Sequence, residues 1–120
     1  MTKAQLIPIN DVHAAARSPL ISGATVNMGG LDWRVSALTL RHMQALTDGL
    51  EEAAEDKKKQ FKTNLDGILW ALQRNYPAMT LEHVLDLVDS SNYLDVLKAV
   101  MGASGVQLGN VLNSPVEPLT

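Results

Sequence analysis

Apolar residues recur at helical spacing between positions 61 and 75: Phe61, Leu65, Ile68, Leu69 and Leu72 fall on one face of a single helix. Each residue of an α-helix turns by about 100°, so Trp70 lies nearly opposite that face, beside Thr63, Gly67 and Arg74. This helix has two sides to cover, which makes it the centre of the expected fold. Upstream, Leu40, Met43, Leu46 and Leu50 form a second stripe behind Thr39, whose hydroxyl suits an N-cap. One unbroken helix from 40 to 75 would be about 35 residues long, far above the usual length, so a break is expected near Asp56. Downstream, Tyr76-Pro77 ends the central helix, because the residue before proline is steered away from helical backbone. Thr80 then opens a helix with Leu81, Val84, Leu85 and Val88 as its inner face. Ser90-Ser91 interrupt it, and Leu94, Leu97, Val100 and Met101 continue at helical spacing to the stop signals Gly102 and Gly105.

Between Ala24 and Val35 the period is two instead. Gly29-Gly30 is a two-residue turn signal, and closing it between Met28 and Leu31 sets Val26 opposite Trp33 and Ala24 opposite Val35 on one face. Thr25, Asn27, Asp32 and Arg34 form the other face, and a slip of one residue would destroy this separation. A two-stranded ribbon is not stable alone in water. Its apolar face therefore needs a cover, and the Trp70 side of the central helix is the expected one. Residues 1–20, with Pro8 and Pro19, predict an extended N-terminal arm, in which Asn10 or Asp11 is placed to cap a single turn through Ala14, Ala15 and Ala16. Residues 106–120 predict a flexible tail of Gly, Asn, Ser and Pro with scattered Val and Leu. The expected architecture is mainly α with a small N-terminal β-hairpin (α+β). About four helices pack around a central helix 61–75, in a single domain over residues 21–105.

Composition narrows the function classes. The chain has 120 residues, enough for one modest core, and its single Phe, two Tyr and two Trp make that core largely aliphatic. A net charge of −3 and a pI near 5.5 oppose general nucleic-acid or acidic-membrane binding. The absence of cysteine removes disulfides and thiolate metal sites. Neither a signal peptide nor a run of about 18 apolar residues is present, so a soluble cytoplasmic protein is expected. The run Glu51, Glu52, Glu55, Asp56, Lys57, Lys58 and Lys59 reads as a solvated helix surface, with helical pairs such as Glu55 and Lys59.

No constellation for chemistry emerges. His13, His42 and His83 are far apart and lack partners at metal-ligand spacing. Gly29-Gly30 lacks the Lys-Ser or Lys-Thr of a phosphate loop, and no apolar pocket is evident to separate the pKa values of Glu51, Glu52 and Asp86. Catalytic, metal and cofactor residues are accordingly not expected. The helix pair between Leu81 and Met101 has the outline of a helix-turn-helix, yet its second helix carries only Asp95 and Lys98 as charges.

The order of parts resembles phage tail assembly chaperones. An arm precedes the hairpin closing through Gly30-Leu31-Asp32-Trp33-Arg34-Val35, and Leu38-Thr39-Leu40 opens a helical domain. Ile68-Leu69-Trp70-Ala71-Leu72-Gln73-Arg74-Asn75-Tyr76-Pro77 with Thr80-Leu81-Glu82 is similar to the central helix of that family and its proline exit. Met101-Gly102-Ala103-Ser104-Gly105 is similar to its last helix end. The resemblance spans Ile21 to Gly105. It implies a non-enzymatic protein of the infected host's cytoplasm that binds the tape measure protein before tail tube subunits polymerise, and is absent from the mature virion. Tail tube protein and further copies of the chain are the other implied partners; nucleic acid and membrane are not. Candidate partner-binding residues are Val26, Met28 and Trp33 on the hairpin, Trp70 on the central helix, and Leu108 and Val111 in the tail. The alternatives are a small phage adaptor or DNA-binding regulator, and a head or tail completion protein that stays in the particle. Members of this family often make a longer product by ribosomal slippage, and Leu108-Gly109-Asn110 permits the heptamer G GGA AAC.

Overall fold

Gly29 and Gly30 have φ of 62° and 80°, the left-handed backbone that both central residues of a type I′ turn require. In the structure, a computed structural model that describes residues 6–105, they join β1 (Gly23–Met28) to β2 (Leu31–Ser36). Pairing follows the alternation: Val26 faces Trp33, Ala24 faces Val35 and Met28 faces Leu31. Trp33 is fully buried and donates its indole N–H to the Met28 carbonyl at 2.9 Å, so its one polar atom is satisfied inside the ribbon.

Among the described residues five helices accompany the hairpin: α1 (Ile9–Ala14), α2 (Leu40–Glu52), α3 (Lys57–Gln73), α4 (Leu81–Leu87) and α5 (Tyr93–Ala103). The fold is mainly α with a small hairpin, as the pattern predicts. Helix boundaries follow side-chain caps. Thr39 accepts from the His42 amide, Asp56 from Lys59 and Thr80 from His83. The expected break at Asp56 is present, and α3 starts just after it, four residues earlier than the apolar pattern alone indicates. Gln60 reinforces the break by donating to the carbonyls of Ala53 and Ala54. Glu55 sits in the turn between the helices, so it has no helical pairing with Lys59; further along this surface Lys62 pairs with Asp66 at 3.7 Å.

The two sides of α3 are covered differently from expectation. Its Trp70 side meets α2, not the hairpin. His42 stacks on Trp70 with ring centroids 4.6 Å apart, and a Cβ on Gly67 would lie 3.3 Å from Leu46. A Cβ on Gly49 would come within 2.8 Å of Thr63, so α2 and α3 approach closely there because Gly49 has no side chain. The antiparallel contact thus runs along His42, Leu46, Gly49 and Ala53; of the predicted stripe, Leu46 is buried in it and Met43 and Leu50 pack against the core. Leu40, at the first position of α2, precedes that line and is 87% exposed.

The hairpin is covered by α5, by α3 along β2, and by His13 of α1 and Tyr76 just beyond α3. Trp33 meets the rings of His13 and Tyr76 at 4.7 and 4.8 Å, edge-on in both cases. His13 donates Nε2–H to the Asp32 carbonyl, which is an acceptor only. The stretch read as an extended arm therefore contains a helical turn that belongs to the core: Val12 is fully buried. No side chain caps it; the turn starts at Pro8 and is held by packing. His83 fastens the arm at a second place. Its Nδ1 accepts from the Thr80 amide, and its Nε2–H donates to the Ile7 carbonyl at 2.6 Å. The two backbone partners fix the tautomer, since one only donates and the other only accepts.

Asn75 joins these parts. It is fully buried just beyond α3, in the turn enforced by Pro77. Its Oδ1 accepts from the Ile21 amide at 2.7 Å, its Nδ2 donates to Ser36 Oγ at 2.8 Å and to the Arg34 carbonyl at 3.3 Å, and its own carbonyl accepts from the Arg17 amide. Neighbouring residues repeat the attachment. Arg74 donates to the Ala37 carbonyl, and the Tyr76 hydroxyl accepts from the Arg34 amide.

Asn75→Ala strands several of these buried groups, each worth about 1–3 kcal/mol when left unpaired. Urea unfolding should show a loss of about 2–4 kcal/mol. Trp33→Ala should cost about 3–5 kcal/mol by cavity formation. Trp70→Ala, which removes a half-buried ring stacked on His42, should cost about 1–2 kcal/mol in the same measurement.

Candidate partner-binding groove

Three of the six large apolar side chains exposed among the described residues, Phe61, Leu85 and Leu94, converge on one groove. It has a volume of about 620 Å³ and lies between the first half of α3 (Phe61, Leu65), the end of α4 (Leu85, Val88) and the start of α5 (Tyr93, Leu94). Phe61 and Leu85 are each 49% exposed and Leu94 is 56% exposed, so the groove is open, with apolar walls already facing water. Phe61 rests against Tyr93, ring centroids 5.1 Å apart.

The link between α4 and α5 sets the angle of these walls. Asp89 accepts from the Ser91 amide at 2.8 Å, the Ser91 hydroxyl at 2.6 Å and the Asn92 amide at 3.1 Å. Asn92 returns the contact, accepting from the Asp89 amide and donating to the Leu87 carbonyl. Residues that read as an interruption are thus a closed hydrogen-bonded turn. The Ser91 hydroxyl, followed by the Ser91 and Asn92 amides, holds the Asp89 carboxyl below the usual carboxylate range, although the group is fully exposed. The groove mouth therefore keeps a negative charge.

Phe61, Leu85 and Leu94 are corrections to the sequence reading, which placed all three in buried stripes. In α4 the inward positions are His83, Val84 and Leu87. His83 turns inward to reach the arm and the cap, which carries Leu85 outward. In α5 the buried residues are Val96, Leu97, Val100 and Met101, and Leu94 sits one turn before them, beyond the end of the packed face. The apolar arcs are wider than the core can cover, and this surplus was the available signal.

The partner-binding candidates chosen from sequence do not meet here. Trp33 and Met28 are fully buried and offer no surface, because the hairpin face is closed by α5, α3, His13 and Tyr76. Val26 and Trp70 are half-buried elsewhere, and Leu108 and Val111 lie outside the described residues. Among the described residues no group of three His, Asp or Glu side chains is placed to hold a metal, and no helix is long and apolar enough to cross a membrane. What the groove offers is burial of apolar surface, with polar atoms from Asp89, Ser90 and Tyr93 at its margin. No protein-family profile, curated protein or solved structure matches the chain.

Because Leu85 and Leu94 are half in solvent, Leu85→Gln and Leu94→Gln should each change stability by no more than about 0.5 kcal/mol. Thermal unfolding of the double variant checks that the groove can be altered without disturbing the fold.

Proposed function

We propose that this protein is a non-enzymatic tail assembly chaperone of a long-tailed phage or prophage, acting in the host cytoplasm and absent from the finished virion. Its client is the tape measure protein, kept soluble until tail tube subunits polymerise around it. The observation that supports this reading is the open apolar groove walled by Phe61, Leu85 and Leu94. A long helical chain whose apolar stripes await enclosure aggregates unless those stripes are masked. A small domain with a groove between helices suits such a stripe through the helix-in-groove mode, and weak contacts repeated along the client add up. The resemblance in the order of hairpin, central helix and proline exit supports the phage assignment. A DNA-binding reading has less support, since α4 and α5 carry Glu82, Asp86, Asp89 and Asp95 against Lys98. In this proposal a slippage product from Leu108-Gly109-Asn110 would keep the helical domain and carry an added segment for tube subunits.

Co-expression with the tape measure protein encoded downstream should raise its soluble yield several-fold. The Leu85→Gln/Leu94→Gln variant should lose that gain while remaining folded. An unchanged soluble fraction with the native chain would remove the chaperone assignment.

A further inference from the structure

The two walls of the groove carry opposite charge. On the α3 wall, Lys58 and Lys62 flank Phe61 and are exposed; Lys62 keeps 70% of its side chain in solvent despite its contact with Asp66. On the opposite wall Asp89 is part of the lining; exposed Asp86 and Asp95 follow Leu85 and Leu94 in sequence, and exposed Lys98 lies one turn beyond Leu94. From Leu81 to Ala103 the side chains with full charge are Glu82, Asp86, Asp89 and Asp95 against Lys98 alone. The apolar floor selects for shape, and the charged margins select for sign.

We infer that the groove receives one amphipathic α-helix of a partner protein, with a Lys- or Arg-bearing flank along α4 and α5 and an acidic flank along the start of α3. The inference rests on the groove reading above and adds the chemistry of the occupant. A helix suits walls that are themselves helices, because apolar side chains at i, i+3, i+4 and i+7 form a ridge that enters such a groove. About 18 residues make about five helical turns, enough for one complete ridge of this spacing. The chain's own end is a poor match. Residues 106–120 contain Glu117 and no Lys or Arg, so they bring no cation to Asp86, Asp89 and Asp95. The charge asymmetry also fixes which way the helix runs, since reversing it in the groove would put like charges together along both margins.

The test uses the full-length, ¹⁵N-labelled protein and three synthetic peptides of about 18 residues with the same leucine ridge. The first has one Lys flank and one Glu flank, the second has Glu on both flanks, and the third has Gln on both. The first should shift the amide signals of Phe61, Leu85, Tyr93 and Leu94 and bind about ten-fold more tightly than the second, the combined effect of a few exposed ion pairs. That margin should shrink in high salt, and Asp86→Lys/Asp95→Lys should invert the order of the first two peptides. Equal affinity of all three peptides at low salt would overturn the charge-selected occupant while leaving an apolar helix groove. Absence of groove shifts with every peptide would overturn the groove reading as well. Groove signals that move with protein concentration together with faster sedimentation, or nuclear Overhauser contacts from the groove to residues 106–120, would assign the surface to a second copy or to the chain's own end and overturn the inference.

Discussion

One buried carboxamide holds the molecule's parts in relation to each other. Asn75 sits where α3 ends, and it binds the arm at Arg17 and Ile21 and the second strand at Arg34 and Ser36. An amide in a dry interior is costly unless its donors and its acceptor are all used. Asn75 uses them on segments that have no other reason to meet at this point. The hairpin could lie on the helices at many angles if only apolar contact held it, because hydrophobic attraction has no direction. Hydrogen bonds have direction, so Asn75, with Arg74 and Tyr76 beside it, fixes the angle. Pro77 is part of the device, since it stops the helix where these three side chains are needed outside it.

The hairpin register was legible in the sequence because two independent signals, the position of Gly29-Gly30 and the alternation on either side, agree on one answer. Two helix starts were legible for a similar reason: Thr39 and Thr80 each satisfy a backbone amide that would otherwise lack a partner, whereas Asp56 was expected as a break alone and its cap starts α3 four residues ahead of the apolar stripe. The line of contact between α2 and α3 was not legible. Of its members only Leu46 belongs to the apolar stripe; the small or polar side chains of His42, Gly49 and Ala53 carry no weight in a hydrophobic pattern, while large Leu40 attracts attention and faces water. The Asn75 cluster was equally hidden, because the partners of its side chain lie 39 to 54 residues away in sequence and asparagine is ordinarily a surface residue.

The groove was half legible. Phe61, Leu85 and Leu94 belong to the helical stripes that the sequence displays, and a stripe is normally read as pointing inward. Whether an apolar position is covered depends on how far the neighbouring element extends, and that is a property of three-dimensional packing alone. The core is complete without these three side chains: Val12, Trp33, Ile68, Leu72, Val84, Val96 and Val100 fill it. The exposed apolar groups therefore add little to folding, and selection for binding can change them without unfolding the protein.

The same side chains that hang the hairpin on the helices also decide what the sheet can become. Along β2, the Asp32 carbonyl is taken by His13, the Arg34 amide by Tyr76 and the Arg34 carbonyl by Asn75. These groups would otherwise form an unpaired strand edge, the template on which sheets of separate molecules join. An imidazole, a phenol and a carboxamide stand in for a third strand, so strand addition at β2 would have to break all three bonds. Such a blunted edge disfavours joining of molecules through the β-sheet.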